Sequence, residues 1–494
     1  MLHDAAQPDA VQEHLPDQHR AHAPKPAHSS PHVRTVRTLA KDWVSKSQFP
    51  LKTGWKSGSI TGYGACRRIG GSCFLFKLSG SRVVVDCGMT LNDPSPPQIP
   101  LNEIPLIDCV VLSHAHVDHS GNIPWLYRHG CRAPLIATEP TLAIARLLME
   151  DHLKLQRLEG VPPNYEYGDI EKALSHARIV AFRQTIQLGR NISMFFLPAG
   201  HMLGASMVRW NDHGERILYS ADISSVDTRI LRGARIPQDL DHIIIETTFG
   251  DRLHKPRKDA EDNLLGKTKL TLKKGGTVII PCFALRGPDV LEVLQRSTVL
   301  SRMLGPGKDF PLYVDGLILA MSDIHEHYLA AGGDHHFNPD LLAANRVPWS
   351  YTPVEDRRAL CANREPKAVI TPSGMCHGLA EMYLSHFMED ARNALILTGY
   401  QAEGTLGWQL RRGERTVIVD GQQRTVALSV HNTPFSGHAD RAQIIDQLRS
   451  SRLKNLILVH GELHAMDAFA EEAGRVLQPE NLVKLSPYRE MRLY

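Results

Sequence analysis

The segment HAHVDH, residues 114–119, places three histidines and one aspartate within six positions. It follows the apolar run IDCVVLS, whose composition predicts a buried strand. Imidazole nitrogen and carboxylate oxygen are ligands that Zn²⁺ takes in proteins, and a catalytic zinc site keeps one position open for water. Four such groups are costly in a core and serve no purpose at a surface, so the segment predicts a metal site.

Three further residues of the same kinds follow other predicted strands. ISMFFLPAGH ends at His201, ERILYSAD ends at Asp222, and LKNLILVHGE carries His460. Taken singly, each residue has an ordinary explanation as a surface, turn or capping residue. Because sheet-based enzymes place their chemistry beyond the carboxyl ends of strands, the joint pattern predicts one shared site.

A pair of metal ions that shares a water molecule needs about seven ligands, including one bridging carboxylate. The chain offers seven candidates: His114, His116, Asp118, His119, His201, Asp222 and His460. Within the segment 114–119, alternate residues can point to the same side. His114 and His116 therefore suit one metal ion, and Asp118 and His119 suit the other.

The composition is that of an ordinary soluble globular protein, with 22% charged and 42% hydrophobic residues in 494. The net charge of +3 excludes a polycation that wraps nucleic acid and allows a local basic groove. The eight cysteines lack CxxC spacing, which favours a reducing cytosol. No apolar run of about 18 residues and no signal peptide is present, so the sequence predicts a cytoplasmic protein without membrane contact.

The elements that must position these ligands divide the chain into four predicted parts. Residues 1–55 are rich in histidine and proline without apolar periodicity, which predicts a disordered extension. Residues 56–250 contain short strands, turns and helices. Residues 251–428 alternate strands with helices, which predicts an inserted parallel α/β module. Residues 429–494 return to strands that end in polar residues.

The motifs around the predicted metal site resemble those of the metallo-β-lactamase fold. HAHVDH matches the HxHxDH signature of that fold. VVVDCG, AGHMLGAS and YSADIS fill its other motifs, at Asp86, His201 and Asp222. The resemblance implies an α/β fold in which an αββα sandwich carries the ligands, with Asp86 as a structural residue that supports the ligand loop.

Later segments are similar to the β-CASP group of nucleases within that fold. IIIETTFGDRLH, PFSGHAD and LVHGE resemble motifs A, B and C of this group, at Glu246, His438 and His460. The resemblance covers residues from about 58 to 494 and identifies the module at 251–428 as an inserted β-CASP domain. Within the group, the chain resembles the RNA-processing ribonucleases and is similar to the bacterial and archaeal homologues of the cleavage-and-polyadenylation endonuclease.

The resemblance implies a hydrolase that cleaves phosphodiester bonds with two zinc ions. One zinc takes His114, His116 and His201, the other takes Asp118, His119 and His460, and Asp222 bridges them. Asp118 is also expected among the catalytic residues. Zinc lowers the pKa of bound water from about 15.7 to about 7, which makes a nucleophile available at neutral pH.

The departing 3′-oxygen needs a proton, and the resemblance makes His438 its expected general acid. Glu246 is expected to orient the imidazole of His438 and to favour its charged form. Products with 3′-hydroxyl and 5′-phosphate ends follow from this assignment. Substrate contacts are expected from Ser373 and Gly374 in TPSGMCHG and from Ser436 in PFSGHAD.

Single-stranded RNA is the expected substrate, because RNA-acting members share the histidine of motif C at His460. The alternatives are a DNA nuclease, a small-molecule hydrolase of the same fold, and a non-catalytic scaffold for RNA processing. Endonuclease and 5′-exonuclease modes stay open. Members often form homodimers, and a homodimer is the corresponding expectation. FALRGPDV replaces the usual FALGRxQE, and YVDGLIL replaces VDSPLA, so the RNA path through the module is where this chain departs from the family.

Overall fold

The computed structural model describes most of the chain. The described ranges are residues 31–39, 41–42, 58–90, 95–297, 300, 311–342, 346 and 348–494. Among these residues, no helix combines the length and the apolar character needed to cross a membrane. Three sheets and a small hairpin organise the described chain.

Two of the sheets pack face to face. In order across the first sheet, the strands are Lys41–Asp42, Ala177–Ile179, Leu135–Ala137, Cys109–Val111, Ser81–Val85, Phe74–Leu78, Ser59–Gly62 and Glu490–Arg492. In the second sheet they are Asn481–Lys484, Asn455–Val459, His242–Glu246, Glu215–Tyr219, Ser206–Asp212, Ile192–Pro198 and Ile186–Gln187. The rings of Phe76 and Trp210, one from each sheet, lie 4.8 Å apart in the core between them. The two sheets form the sandwich that the resemblance to the metallo-β-lactamase fold implies.

Helices cover the outer faces of both sheets. They are Pro31–Leu39, Val117–Ser120, Ile123–Arg128, Glu139–Leu158, Tyr167–Ser175, Arg441–Leu448 and Leu463–Leu477, with the short 3₁₀ turn Ile104–Leu106. Alternate residues of the sheets face these helices, as Ile245 and Leu458 do in the buried cluster that contains Phe469. Central strands such as Asn455–Val459 are consequently buried on both faces, which explains their continuous apolar sequence. The αββα arrangement is confirmed.

The inserted module is built on a third, wholly parallel sheet. Its strands, in order, are Thr352–Pro353, Leu312–Val314, Lys367–Thr371, Thr277–Pro281, Ala394–Leu397 and Ser429–Asn432. Its helices are Arg257–Lys273, Gly287–Gln295, Leu317–Ala331, Arg357–Ala362, Leu379–Phe387 and Leu406–Arg411, with the 3₁₀ turn Ala284–Arg286 and the hairpin Thr416–Val419 and Gln422–Thr425. Parallel strands end at the same edge of a sheet, so the loops after Pro281, Thr371 and Leu397 gather there.

The N-terminal segment corrects the prediction of a disordered extension over residues 1–55. Pro31–Leu39 is a helix whose Val33 and Val36 are fully buried against the sandwich. Lys41–Asp42 adds a parallel edge strand to the first sheet. Two valines three positions apart give too short an apolar pattern to stand out in a segment rich in histidine and proline. The remainder of the predicted extension lies outside the described residues.

The far boundary of the module also differs from the prediction. Ser429–Asn432 pairs in parallel with Ala394–Leu397, so the third sheet continues beyond the predicted end at residue 428. This strand is exposed or half-buried along its whole length and lacks an apolar pattern. Backbone pairing with a buried neighbour, and not side-chain composition, places it in the sheet.

Candidate metal centre

Seven side chains from four loops converge at one end of the sandwich. They form two groups of four whose donor atoms lie within 4.8 Å of one another, and both groups include Asp222. The first group consists of His114, His116, His201 and Asp222. The second consists of Asp118, His119, Asp222 and His460. Each loop follows a strand of one of the two sheets, so the shared edge of the sandwich brings the groups together.

In the first group, the three imidazoles turn nitrogen atoms toward a common point. Nδ1 of His116 lies 3.1 Å from Nε2 of His114 and 2.9 Å from Nε2 of His201. Oδ2 of Asp222 completes the group at 3.6 Å from His114 and 3.8 Å from His201. The positions of the histidines in HAHVDH explain this grouping. His114 and His116 lie before the helix Val117–Ser120 and face the same side.

In the second group, two carboxylates alternate with two imidazoles. Oδ2 of Asp118 lies 3.2 Å from Nε2 of His460 and 3.9 Å from Nε2 of His119. Oδ1 of Asp222 lies 3.5 Å from Nε2 of His119 and 3.4 Å from Nδ1 of His460. Asp222 thus offers one oxygen to each group.

The set of donor atoms fits metal ions, and one buried oxygen atom of Asp222 supports this fit. Asp222 is 1% exposed, and its Oδ1 accepts no hydrogen bond from the described part of the chain. Buried carboxylate oxygens are normally satisfied, so an orphaned one calls for another partner. The nearest nitrogens, at 3.4 and 3.5 Å, are spaced as groups around a cation are and not as hydrogen-bond donors. Nitrogen and carboxylate donors in sets of four are the chemistry of zinc.

Outer hydrogen bonds hold the imidazoles in the orientation that faces the groups. Nδ1 of His201 donates to the carbonyl oxygen of Gly437 at 2.6 Å, which directs Nε2 inward. Nδ1 of His119 donates to Oδ2 of Asp86 at 2.8 Å, with the same effect on its ring. Nδ1 of His460 lies 3.1 Å from the hydroxyl of Thr248.

Asp86 is the most connected of these outer residues. It is fully buried and accepts hydrogen bonds from the N–H and the hydroxyl of Ser113, both at 2.8 Å, and from the Tyr219 hydroxyl at 3.0 Å. Its backbone has φ of +60°, a strained value that aspartate and asparagine tolerate better than most residues. Because Ser113 precedes His114, Asp86 ties both ends of the segment 114–119 to the sandwich.

Asp86→Asn is expected to weaken metal binding at this centre by about 10- to 100-fold, because His119 loses its anionic partner while the backbone conformation is kept. Zinc affinity measured by competition with a chelator checks this. Asp315→Asn is the matched control, since Asp315 is equally buried and accepts hydrogen bonds from Arg357 and Tyr383 in the module. Unchanged zinc affinity in Asp86→Asn would show that Asp86 does not support the centre.

Burial keeps the imidazoles of the first group neutral. It lowers the pKa of His114 and His201 well below the usual value, and it lowers the pKa of His116 to about 4. Neutral imidazole is the form that binds metal, so these three side chains are ready to act as ligands at pH 7.

The second group has an excess of negative charge. Burial alone would lower the pKa of His119 and His460, but Asp222 and Asp118 outweigh it and raise both values. Conversely, burial alone would raise the pKa of Asp222, but the neighbouring His460 and His119 hold it well below its usual range. The carboxylates here therefore favour a positive charge in the space between the side chains.

A third group, Asp222, Glu246 and His438, lies beside the first two. Nδ1 of His438 lies 2.9 and 3.1 Å from the two carboxylate oxygens of Glu246. Oε1 of Glu246 also accepts the N–H of Ile223 at 2.7 Å, which fixes the carboxylate. Burial lowers the pKa of His438, but Glu246 more than compensates, so the pKa lies above its usual value. The ring of His438 packs on that of His201, with centroids 4.6 Å apart.

The three predicted substrate contacts fall in two places. Ser436 is half-buried in the loop that carries His438, where its hydroxyl accepts the N–H of His438 and contacts Nε2 of His254. Ser373 is exposed and Gly374 is buried at the carboxyl edge of the third sheet. A Cβ at Gly374 would lie 2.9 Å from the backbone nitrogen of Phe283, so this loop packs closely against the next.

Sequence reasoning did not identify several residues around the centre. The Ser72 hydroxyl lies 3.2 Å from Nε2 of His119, and the N–H of Gly70 faces Nε2 of His460 at 3.4 Å. Both belong to the segment RRIGGSC, whose glycine-rich turn was a signal for close backbone approach. Thr248 lies two positions after Glu246, but nothing in the sequence around it indicates a contact with His460, 212 residues away.

Comparison with known families agrees with this architecture. Residues 75–248 match the metallo-beta-lactamase superfamily domain, residues 291–410 match the Beta-Casp domain, and residues 424–477 match the Zn-dependent metallo-hydrolase RNA specificity domain. The three matches follow one another along the chain and cover both the sandwich and the module.

Curated relatives match over most of their own length. Ribonuclease TTHA0252 of Thermus thermophilus is 32% identical over 82% of this chain and 93% of the relative. Transcription termination factor FttA of Methanosarcina mazei is 30% identical over 91% and 72%. An RNase J-like protein of Methanocaldococcus jannaschii is 30% identical over 84% and 95%.

A solved structure shares the fold. It is a protein of unknown function from Enterococcus faecalis V583, with a TM-score of 0.53 and 13% identity, covering 88% of this chain and all of that chain. At this identity the likeness concerns the fold alone.

Proposed function

Since the chain belongs to the metallo-β-lactamase superfamily, in the group that carries a Beta-Casp domain, we propose that it is a zinc-dependent ribonuclease. It hydrolyses phosphodiester bonds of single-stranded RNA and leaves 3′-hydroxyl and 5′-phosphate ends. The observation that carries the proposal is Asp222, shared by two metal-binding groups and by the pair His438 and Glu246. The match to an RNA specificity domain and the two relatives named as ribonucleases support RNA as substrate.

We propose two zinc ions, one held by the first group and one by the second, with Asp222 common to both. When bound, they supply Lewis acidity, an activated water and charge neutralisation at the phosphate. The chain contributes the geometry: Gly437 and Asp86 hold His201 and His119 with Nε2 inward. Asp118 would be a ligand of the second group and is also proposed among the catalytic residues.

His438 is proposed to protonate the leaving 3′-oxygen. Its Nδ1 proton is held by Glu246, so Nε2 is the atom that delivers a proton. Glu246 also raises the pKa of the imidazole, which favours the protonated form that a general acid needs. The ring is half-buried, which leaves an edge open to substrate.

The substrate is proposed to enter where the module meets the sandwich. The metal centre lies at this junction, because Arg286 of the module reaches His201 of the sandwich. A strand entering such a junction must splay its bases away from the centre, which suits single-stranded RNA better than a duplex. Ser373, Gly374 and Ser436 are proposed to contact the RNA strand.

A cytoplasmic location and a homodimer are also proposed. All eight cysteines are free and buried, which supports the cytoplasmic location. The homodimer follows from the family resemblance alone.

Purified protein is expected to hold two zinc ions per chain and to cut a labelled single-stranded RNA, with 5′-phosphate products. A chelator should abolish cleavage, and zinc should restore it. Metal analysis and gel electrophoresis check both results. Opening of a circular RNA identifies endonuclease activity, because a 5′-exonuclease needs an end.

Each competing function predicts a different result. A DNA nuclease would prefer the matching single-stranded DNA, and a small-molecule hydrolase would cleave simple esters while leaving RNA intact. A scaffold would bind RNA without cutting it. Protein that contains two zinc ions and never cuts RNA would refute the proposal.

A further inference from the structure

Arg286 brings a positive charge from the module into the wall of the metal centre. It ends the 3₁₀ turn Ala284–Arg286, which follows the central strand Thr277–Pro281 of the third sheet. Only 12% of its side chain is exposed. Nη2 lies 3.5 Å from Nδ1 of His201, on the side of that ring that faces away from His116.

The guanidinium rests on the loop that carries the proposed general acid. A Cβ placed on Gly437 would lie 1.3 Å from Nη2 and 2.2 Å from Cζ of Arg286. Only glycine leaves room for this contact, and the next residue in the chain is His438. Arg286 therefore lies beside a proposed metal ligand and beside the proposed acid at the same time.

Among the residues that the structure describes, the charge of Arg286 has no close counterion. Its nearest carboxylate oxygen is Oδ2 of Asp289, at 3.5 Å from Nη1, which is long for an ion pair with hydrogen bonds. Asp289 is shared, because its Oδ1 lies 3.7 Å from Nη2 of Arg257 and accepts no hydrogen bond from any described residue. Asp289 thus makes no contact shorter than 3.5 Å with either arginine, and Arg257 has a second partner in Oε1 of Glu261, at 3.4 Å.

A largely buried cation in this situation favours an additional anion. Buried charges in proteins are normally paired and hydrogen-bonded. The planar fork of arginine matches two oxygens of a phosphate, and the proposed substrate carries one phosphate per nucleotide.

We infer that Arg286 binds a backbone phosphate of the RNA next to the one that is cut. The ring of His201 stands between the guanidinium and the first ligand group, so the phosphate at the metal centre is out of its reach. The contact with Gly437 places the guanidinium of Arg286 on the side of His438, where the 3′-oxygen is proposed to depart. The contacted phosphate is therefore the one on the 5′ side of the scissile phosphate. This inference rests on the proposed ribonuclease function.

Binding of RNA to a variant that cannot cut it tests the contact. In the His438→Ala background, the added change Arg286→Gln is expected to weaken binding of single-stranded RNA about tenfold. The slope of log Kd against log salt should fall by about 0.7, the value for one phosphate contact on a single strand. Arg286→Lys keeps the charge and removes the two-pronged guanidinium, so it should weaken RNA binding less than Arg286→Gln does.

Neutral methylphosphonates, placed one at a time along the RNA, locate the phosphate. At the position 5′ to the scissile phosphate, a methylphosphonate should weaken RNA binding by protein that retains Arg286. It should have no further effect on binding by Arg286→Gln, because both changes remove the same contact. Arg392→Gln is the matched control. Arg392 forms an exposed ion pair with Asp390 just before the strand Ala394–Leu397, at the opposite edge of the sheet.

The outcomes separate three cases. If the losses of RNA affinity caused by Arg286→Gln and by the methylphosphonate add at every position, the inference is overturned. A loss of RNA affinity in Asp289→Asn equal to that in Arg286→Gln would also overturn it, because Arg286 would then only anchor the loop through Asp289. Thermal melting of each variant identifies any loss caused by unfolding, and Arg286→Lys then carries the test. Wild-type protein that neither binds nor cuts RNA would refute the proposed function itself, whereas cleavage by wild type with additive losses refutes the phosphate contact alone.

Discussion

Asp222→Asn is expected to reduce the zinc content from two ions per chain to less than one and to lower RNA cleavage by about 10³-fold or more. Asp222 belongs to all three groups of candidate ligands. Its Oδ2 faces His114 and its Oδ1 faces His119, so one substitution takes the oxygen ligand from one proposed ion and the negative charge shared by both. Asparagine has the same shape as aspartate and removes only the charge and one oxygen donor.

Metal analysis and the rate of RNA cleavage, measured on the same preparation, check this expectation. Asp212→Asn is a suitable control, because Asp212 is also fully buried but lies at the far end of the strand Ser206–Asp212. It accepts hydrogen bonds from Ser79 and Tyr494 and should retain both zinc ions when changed. Asp222→Asn protein that keeps two zinc ions would show that this carboxylate does not join the two groups.

Much of this candidate site could be predicted from the sequence, because each candidate ligand follows a strand. Strands such as Cys109–Val111 and Asn455–Val459 are identified by apolar runs, and the strand ends meet at one edge once the sheets form. The donor atoms of His114 and His116 fall in one group and those of Asp118 and His119 in the other, the grouping that alternation along the loop favours, and metal binding by these groups stays a prediction. Local pattern and global fold agree here, which is the condition under which sequence reasoning succeeds.

Features that depend on tertiary approach could not be predicted in the same way. Arg286 lies 85 positions from His201, and its contact with Gly437 exists only because the module packs on the sandwich. The buried valines of Pro31–Leu39 and the edge strand Ser429–Asn432 are placed by neighbours that are distant in sequence. No local pattern marks such residues, since their own side chains give no periodic signal.

The pair His438 and Glu246 has the geometry of a proton donor and its support. Both carboxylate oxygens of Glu246 lie within 3.1 Å of Nδ1, and Glu246 is 1% exposed. A carboxylate in this position fixes the tautomer of the ring and stabilises its protonated form. His438 also lies outside the two groups of four, so its removal should leave the proposed zinc ligands intact.

His438→Ala is therefore expected to lower kcat for RNA by about 10²- to 10⁴-fold, with zinc content and RNA affinity little changed. If the imidazole protonates the leaving oxygen, an RNA with sulfur in place of the scissile 3′-oxygen should need it far less, because a thiolate departs without a proton. The variant should then cut the sulfur-containing RNA at nearly the wild-type rate, while His386→Ala, at an exposed helical position, should behave as wild type on both substrates. Equal losses on the two RNAs would assign His438 to positioning and not to proton transfer. The selective rescue separates these roles because a misplaced substrate would react slowly whatever its leaving group.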